Sequence, residues 1–196
     1  MSQLRTLLVV GAGGHGKAVA EAALLSGQWQ RVNFVDDRWP ALEAVCGMPV
    51  LGGLDRLAEY AATADGAIAA VGNNRVRRVW QERIVAAGGA SLVSVVHPRA
   101  CVSPSAVIGP GSAIMALAVV GAEARLGQGV ILNAGAVVDH DVVMHDYAHL
   151  GVGACLAGGV VVGMSAWLQA GCSAGYGVVI EPGCVVTPGQ ALIARD

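Results

Sequence analysis

Three histidines and three aspartates crowd into residues 139–149, within the stretch "VVDHDVVMHDYAHLGVGACLAGGVVVG". Their neighbours are Val, Gly and Ala, an aliphatic context that seldom carries so many titratable groups without a use for them. The chemistry on offer is acid–base. Histidine titrates near neutrality, and Asp141, adjacent to His140, is placed to orient the ring or raise its basicity.

A second stretch able to do chemistry is "GAGGHG", residues 11–16. It follows an apolar strand and opens a helix, where backbone N–H groups are free to receive an anion. The pattern is G-x-G-x-x-G, weak on its own, with Asp36 and Asp37 where a dinucleotide site places its acid. Fewer than 100 residues precede the change of pattern described below, about half of a full doubly wound domain, so one nucleotide fits better than two. His15 reads as a phosphate or sugar contact rather than a catalyst. Gly72, Asn73 and Asn74 of "VGNNRVRR" end a strand at the same sheet edge and complete the pocket, while at least two of Arg75, Arg77 and Arg78 are expected on a solvated helix face.

Two different patterns must position these groups. Residues 1–99 alternate strand-like and helix-like segments: "TLLVVGAGG", "KAVAEAALLSG", "RVNFVDD", "DRLAEYAATA", "GAIAAVG", "NRVRRVWQERIVAAGG" and a last strand, "SLVSVVHP". That alternation predicts a parallel sheet covered by helices. From about residue 100 every sixth residue, Val102 through Val186, is a large aliphatic with the single exception of Ala174. Two positions earlier each residue is small or Val. One position later glycine recurs at Gly109, Gly121, Gly127, Gly151, Gly163 and Gly175, and is expected to ease the turns. A phase of six held this long is the signature of a hexapeptide parallel β-helix, with three hexapeptides per coil and about five coils.

On those coils His140 falls two positions after an interior residue, His145 one after and His149 one before. No two of them are separated by the roughly eighteen residues that stacking requires, so a histidine metal site is not expected. Gly158 lies eighteen residues after His140, where its N–H is placed to hold a developing oxyanion. His145 is expected to be incidental.

Composition narrows the classes. The chain has 196 residues, a formal charge of −2 and 55% hydrophobic residues, of which few are aromatic. There is no basic footprint for nucleic acid and no apolar run long enough for a membrane span. The N-terminus carries no signal-peptide pattern. The five cysteines, odd in number and without a CxxC, read as small hydrophobes in a reducing cytosol, so a cytoplasmic protein is expected.

Taken together, "GAGGHG", "VDD", "VGNN" and the "ILNAGAVVDHDVVMHDYAHLGVGACLAGGVVVG" segment resemble the nucleotide-sugar N-acetyltransferases of the bacillosamine and perosamine pathways, which are related to the sialic-acid O-acetyltransferases. The resemblance covers almost the whole chain. It implies a Rossmann-like nucleotide-sugar domain over residues 1–99 and a left-handed β-helix over 100–196. It also implies a homotrimer with acetyl-CoA lying along the coils between subunits. By the same resemblance His140 is the general base and Asp141 the acid behind it, while His149, Gly158 and Ala170 contact acetyl-CoA. Gly13, Gly14, His15, Asp36, Asp37, Gly72 and Asn133 are implied to line the sugar-nucleotide and transfer sites. The chain departs from the family in carrying Asp141 where bacillosamine-type members often have Glu, and in ending "VVTPGQALIARD" rather than in a "GVPA" tail.

The implied reaction is transfer of acetyl from acetyl-CoA to the amine of a nucleotide-linked 4-amino-4,6-dideoxy sugar, with Asp36 and Asp37 favouring UDP over GDP as the carrier. No Ser or Cys adjoins His140 as a nucleophile, so direct transfer is expected. Two alternatives stand beside it: O-acetylation of a sialic acid or similar sugar by the same base, and a non-catalytic binding solenoid. A dinucleotide-dependent redox protein rests on the glycine turn alone.

Overall fold

The computed structural model describes residues 4–194. The N-terminal unit is a four-stranded parallel sheet in the order β2-β1-β5-β6. Its elements are β1 (Thr6–Val10), α1 (Gly14–Leu25), β2 (Arg31–Val35), the short hairpin β3 (Ala44–Val45) and β4 (Met48–Pro49), α2 (Leu57–Ala61), β5 (Gly66–Ala69), α3 (Asn74–Ala87) and β6 (Ser91–Leu92). Leu7, Leu8, Val9 and Val10 of β1 are all fully buried, as expected of a central parallel strand covered on both faces.

Residues 95–192 form the β-helix. Its two-residue strands stack into three parallel sheets of six, six and five strands. One sheet, here the covered face, runs from β7 (Val95–Val96) to Val185–Val186; the second face runs from Cys101–Val102 to Ala191–Leu192; the third runs from Val107–Ile108 to Val179–Ile180. Each strand pairs with the residue eighteen positions on, as in Val138↔Leu156 and Met144↔Val162. The predicted large aliphatics fill the interior: Ile114, Leu132, Val138, Leu150, Val162 and Leu168 are completely buried in one continuous column with Ala118, Ala136, Ala154 and Ala166. Narrow coils leave room for aliphatics and alanine but not for rings, which explains the aromatic-poor composition.

Two details differ from the sequence expectation. "SLVSVVHP" is not one strand. Ser91–Leu92 closes the N-terminal sheet, and Val95–Val96 already pairs with Ala113–Ile114 as the first solenoid strand. The glycines one position after the interior residue do not make the turns either. A Cβ on Gly121 would lie 2.6 Å from the backbone of Asp139, and one on Gly151 2.6 Å from Ala170 N, so these positions are bare because successive coils touch there. The left-handed corner residue comes two positions later, recurring every six residues from Gly111 (φ 69°) to Gly189 (φ 71°). Nine of these corners are glycine. Asp141 (φ 58°) is one of the five that are not, a conformation Asp tolerates better than most side chains.

The N-terminal unit packs on the covered face. Met115, Ala113, Ile131 and Val95 from the coils join Val19, Ala22 and Phe34 in a single apolar cluster. No helix among the described residues is long and apolar enough to cross a membrane.

Candidate active site

His140 stands on the corner between the second and third faces. Its Nδ1 lies 2.7 Å from Asp141 Oδ2, and its backbone N–H donates to Asp139 Oδ1 at 2.7 Å. A carboxylate accepts only, so Nδ1 carries the proton and Nε2 presents a lone pair to solvent. The Asp141 hydrogen bond, aided by the charge of Asp139, raises the His140 pKa above its ordinary value. Directly along the coil axis is Gly158: a Cβ there would meet His140 Cε1 at 2.5 Å and Nε2 at 2.6 Å. The coils are tied at this point by the Gly159 N–H donating to His140 O at 3.0 Å. The Gly158 N–H donates to no acceptor among the described residues. A free base and a free backbone donor thus share one bare corner.

His149 lies elsewhere, buried on the covered face beneath the N-terminal unit. Its Nδ1 is 3.2 Å from Gly72 O, an obligate acceptor, so Nδ1 carries the proton and Nε2 accepts from Asn133 Nδ2 at 2.8 Å. The ring stacks on Trp167, centroids 5.6 Å apart with a 17° interplanar angle. Burial, with the charges of Arg77 and His15 behind it, lowers the His149 pKa to about 3. His149 is therefore a neutral, fixed hydrogen-bonding group, while His140 is an exposed base.

Arg77 is buried, unlike its exposed neighbours Arg75 and Arg78. Its guanidinium donates to Gly129 O (2.8 Å), Tyr147 O (2.8 Å), Val71 O (3.0 Å), Gly72 O (3.3 Å) and Asn74 Oδ1 (2.9 Å). Every acceptor is neutral, and together they tie α3 and the 71–74 turn to the corner between the third and covered faces. Asn74 adds a hydrogen bond to Ser165 O at 2.8 Å.

At the glycine turn, Gly13 caps α1 and, like Gly14, has open space where a Cβ would stand. Gly16 packs against Gly11 O too closely for any side chain. His15 Nε2 is buried without a partner among the described residues, and burial beside Arg77 lowers its pKa to about 4. Asp36 accepts from the Ala12 N–H (2.8 Å) and pairs with Arg38 through both oxygens, which lowers its pKa to about 2. Asp37 accepts from the Leu54 N–H at 2.8 Å. Asp36 therefore braces the glycine turn, whereas Asp37 braces the segment that begins at Leu54. Ala170 is exposed on the corner between the covered and second faces, the corner that also carries Asn133.

A cleft of about 450 Å³ opens between the two units, lined by Gly72, Asn73, Asn74, Arg75, His149, Ser165, Trp167 and Val185. A larger hollow of about 610 Å³ lies at the C-terminal end of the coils, but Glu181 and Cys184 are the only titratable groups that line it, and it holds no histidine. The smaller one holds the His149 ring, and neither hollow is lined by His140 or Gly158. Sequence reasoning missed Trp167, Arg77 and the anchoring role of Asn74. The first was within reach, since Trp167 lies eighteen residues after His149.

Comparison with known proteins bears on what this geometry serves. Residues 6–84 match the family model described as the PglD N-terminal domain. The acetyltransferase domain of PglB from Neisseria gonorrhoeae FA1090, in complex with acetyl coenzyme A, is similar over 98% of this chain and 97% of its own, with 38% identity and a TM-score of 0.80. PerB from Caulobacter crescentus, in complex with CoA and GDP-perosamine, is 33% identical over 98% of this chain and 95% of its own, with a TM-score of 0.81. The chain belongs to the nucleotide-sugar N-acetyltransferases of the hexapeptide-repeat family. Within that family, the UDP-N-acetylbacillosamine N-acetyltransferase of Bacillus subtilis (strain 168) is 35% identical over 118 residues, and the match spans about half of that relative's length, 52%.

Proposed function

We propose that this N-acetyltransferase moves acetyl from acetyl-CoA to the amine of a nucleotide-linked 4-amino-4,6-dideoxy sugar, by direct transfer with His140 as general base. The observation that carries the reading is the pairing of a free His140 Nε2, backed by Asp141, with the free N–H of Gly158 one coil away. An ammonium has no lone pair. One proton leaves the acceptor to solvent, the neutral amine adds to the thioester carbonyl, and its second proton passes to His140. The C–N bond forms while the carbonyl oxygen, now an anion, is held by the Gly158 N–H. Collapse breaks the C–S bond, and the His140 imidazolium returns its proton to the thiolate.

The acceptor assignment follows the relatives: one acts on a UDP-linked sugar by its name, and another holds GDP-perosamine. We take UDP as the carrier, with GDP in the same assay. Gly13, Gly14 and His15 would receive the nucleotide at the N-terminus of α1. Asp36 and Asp37 support this pocket from behind through Ala12 and Leu54.

His140 and His149 cannot serve one acetyl group within a single chain. His140 lies on the corner opposite the covered face that carries His149, with the filled coil between them. A site using both needs a second copy, which supports a closed homotrimer with acetyl-CoA between subunits, contacted by His149, Gly158 and Ala170. Five unpaired cysteines, three of them exposed, agree with a reducing, cytoplasmic location.

The test is release of CoA thiol from acetyl-CoA in the presence of UDP- and GDP-linked 4-amino sugars, with sialic acid as the hydroxyl control. Release with one amino sugar, reduced about 10²–10⁴-fold in His140→Ala, is expected. Near-normal turnover in that variant would end the assignment of the base.

A further inference from the structure

The corner column that carries His140 and Gly158 continues to Tyr176, at the same register one coil further on, where the Gly177 N–H donates to Gly158 O at 3.1 Å. Of the three tyrosines, Tyr60 and Tyr147 are buried, whereas Tyr176 is 73% exposed. Its ring leans back over the preceding coil: a Cβ on Gly159 would meet Tyr176 Cζ at 3.9 Å, just as one on Gly158 would meet His140 at 2.5 Å. Gly158 and Gly159 thus form a bare backbone floor with an imidazole at one end and a phenol ring at the other. The His140 and Tyr176 backbones are two coil spacings apart, roughly 10 Å, and both rings reach over the coil between them, so an acyl group held at the Gly158 N–H lies beside both.

We propose that Tyr176 is the acyl-donor wall of the site, its ring packing against the arm that carries the thioester. The inference rests on the acetyl-transfer reading. Deprotonation draws the acceptor amine to His140. Amine and sulfur occupy different corners of the tetrahedral centre, so the sulfur and its arm lie toward the other end of the floor. That arm is a chain of methylenes and amides. It gains apolar contact from an aromatic face that is otherwise left in water.

The experiment is titration calorimetry of acetyl-CoA alone, with UDP as a separate probe of the N-terminal unit, on wild type, Tyr176→Ala and Tyr176→Phe. Tyr176→Ala should weaken acetyl-CoA about tenfold, the scale of one ring's lost contact. Tyr176→Phe should stay within about twofold of wild type, and UDP affinity should not change in either. Unchanged acetyl-CoA affinity in Tyr176→Ala overturns the wall and leaves the transfer reading standing. A wild type that binds no acetyl-CoA overturns both. Equal losses in Phe and Ala variants, or a parallel loss for UDP, also overturn the wall, because the ring itself would then not be the contact.

Discussion

The His140 ring lies over the Cα of Gly158, eighteen residues later in sequence and one coil away in space. The backbone at Gly158 is not left-handed, so the fold would accept an alanine there; only the imidazole would not. The absence of a side chain at 158 is thus what leaves room for the His140 ring.

Gly158→Ala should therefore separate stability from activity. The new methyl displaces an exposed ring and not a packed one, so urea unfolding should shift by no more than about 0.5 kcal/mol. The displaced ring loses its alignment with Asp141 and with the Gly158 N–H. Misplacement on the order of 1 Å at a reacting centre costs about 10²-fold, and thiol release should fall by that order. A variant with wild-type rate would mean that the stacked geometry is not used.

Asp141→Asn tests how the base is tuned. The Asp141 hydrogen bond is the largest cause of the raised His140 pKa, with Asp139 second. The base must be unprotonated, so kcat/KM rises with pH through the His140 pKa. Removing the Asp141 charge lowers that pKa, and the rising limb should move to lower pH without losing the Asp139 contribution. The plateau should fall as well, because a less basic imidazole takes the proton less readily. A pH–rate profile of the two proteins decides this, and an unmoved limb would detach Asp141 from the base.

Acid should loosen the fold through a different pair. His149 and His15 have folded pKa values of about 3 and about 4, below the ordinary 6.5. Below about 6.5 the unfolded chain takes up these protons before the folded one does. Stability is thus complete above that pH, declines beneath it, and continues to decline until the folded values are reached. Urea melts at about pH 7.5 and about pH 5 should show the loss. His149→Asn should show a smaller difference between the two conditions, and an identical difference would exclude His149 as a source.

The solenoid was legible because its core repeats one choice. Ile114, Leu132, Leu150 and Leu168 occupy the same face of successive coils, and each must be large and aliphatic for the same reason. The stacking of His140 over Gly158 was legible because the two share that period. The junction between the units was not, since it obeys no period. Arg77, in a helix segment with two exposed arginines beside it, differs from them only in where α3 docks. Asp36 and Asp37 occupy the expected place after the second strand, yet Arg38 and the Ala12 and Leu54 amides engage them, a partnership visible only once the turn is folded. Placing His149 on the coil did not reveal its burial, because what buries it comes from the other unit.

That same placement makes the subunit question testable. If His140 of one subunit works with His149 of its neighbour, His140→Ala and His149→Ala each inactivate every site of their own homotrimer. In randomly mixed trimers of the two, a site is intact when one subunit supplies His140 and the next supplies His149, which occurs in about a quarter of interfaces. Co-expressing the two variants under different affinity tags and purifying through both should recover thiol release absent from either alone. If both residues belonged to one chain, no mixture would contain an intact site. Recovery therefore requires that they meet across an interface, and mixed trimers without activity would overturn that pairing.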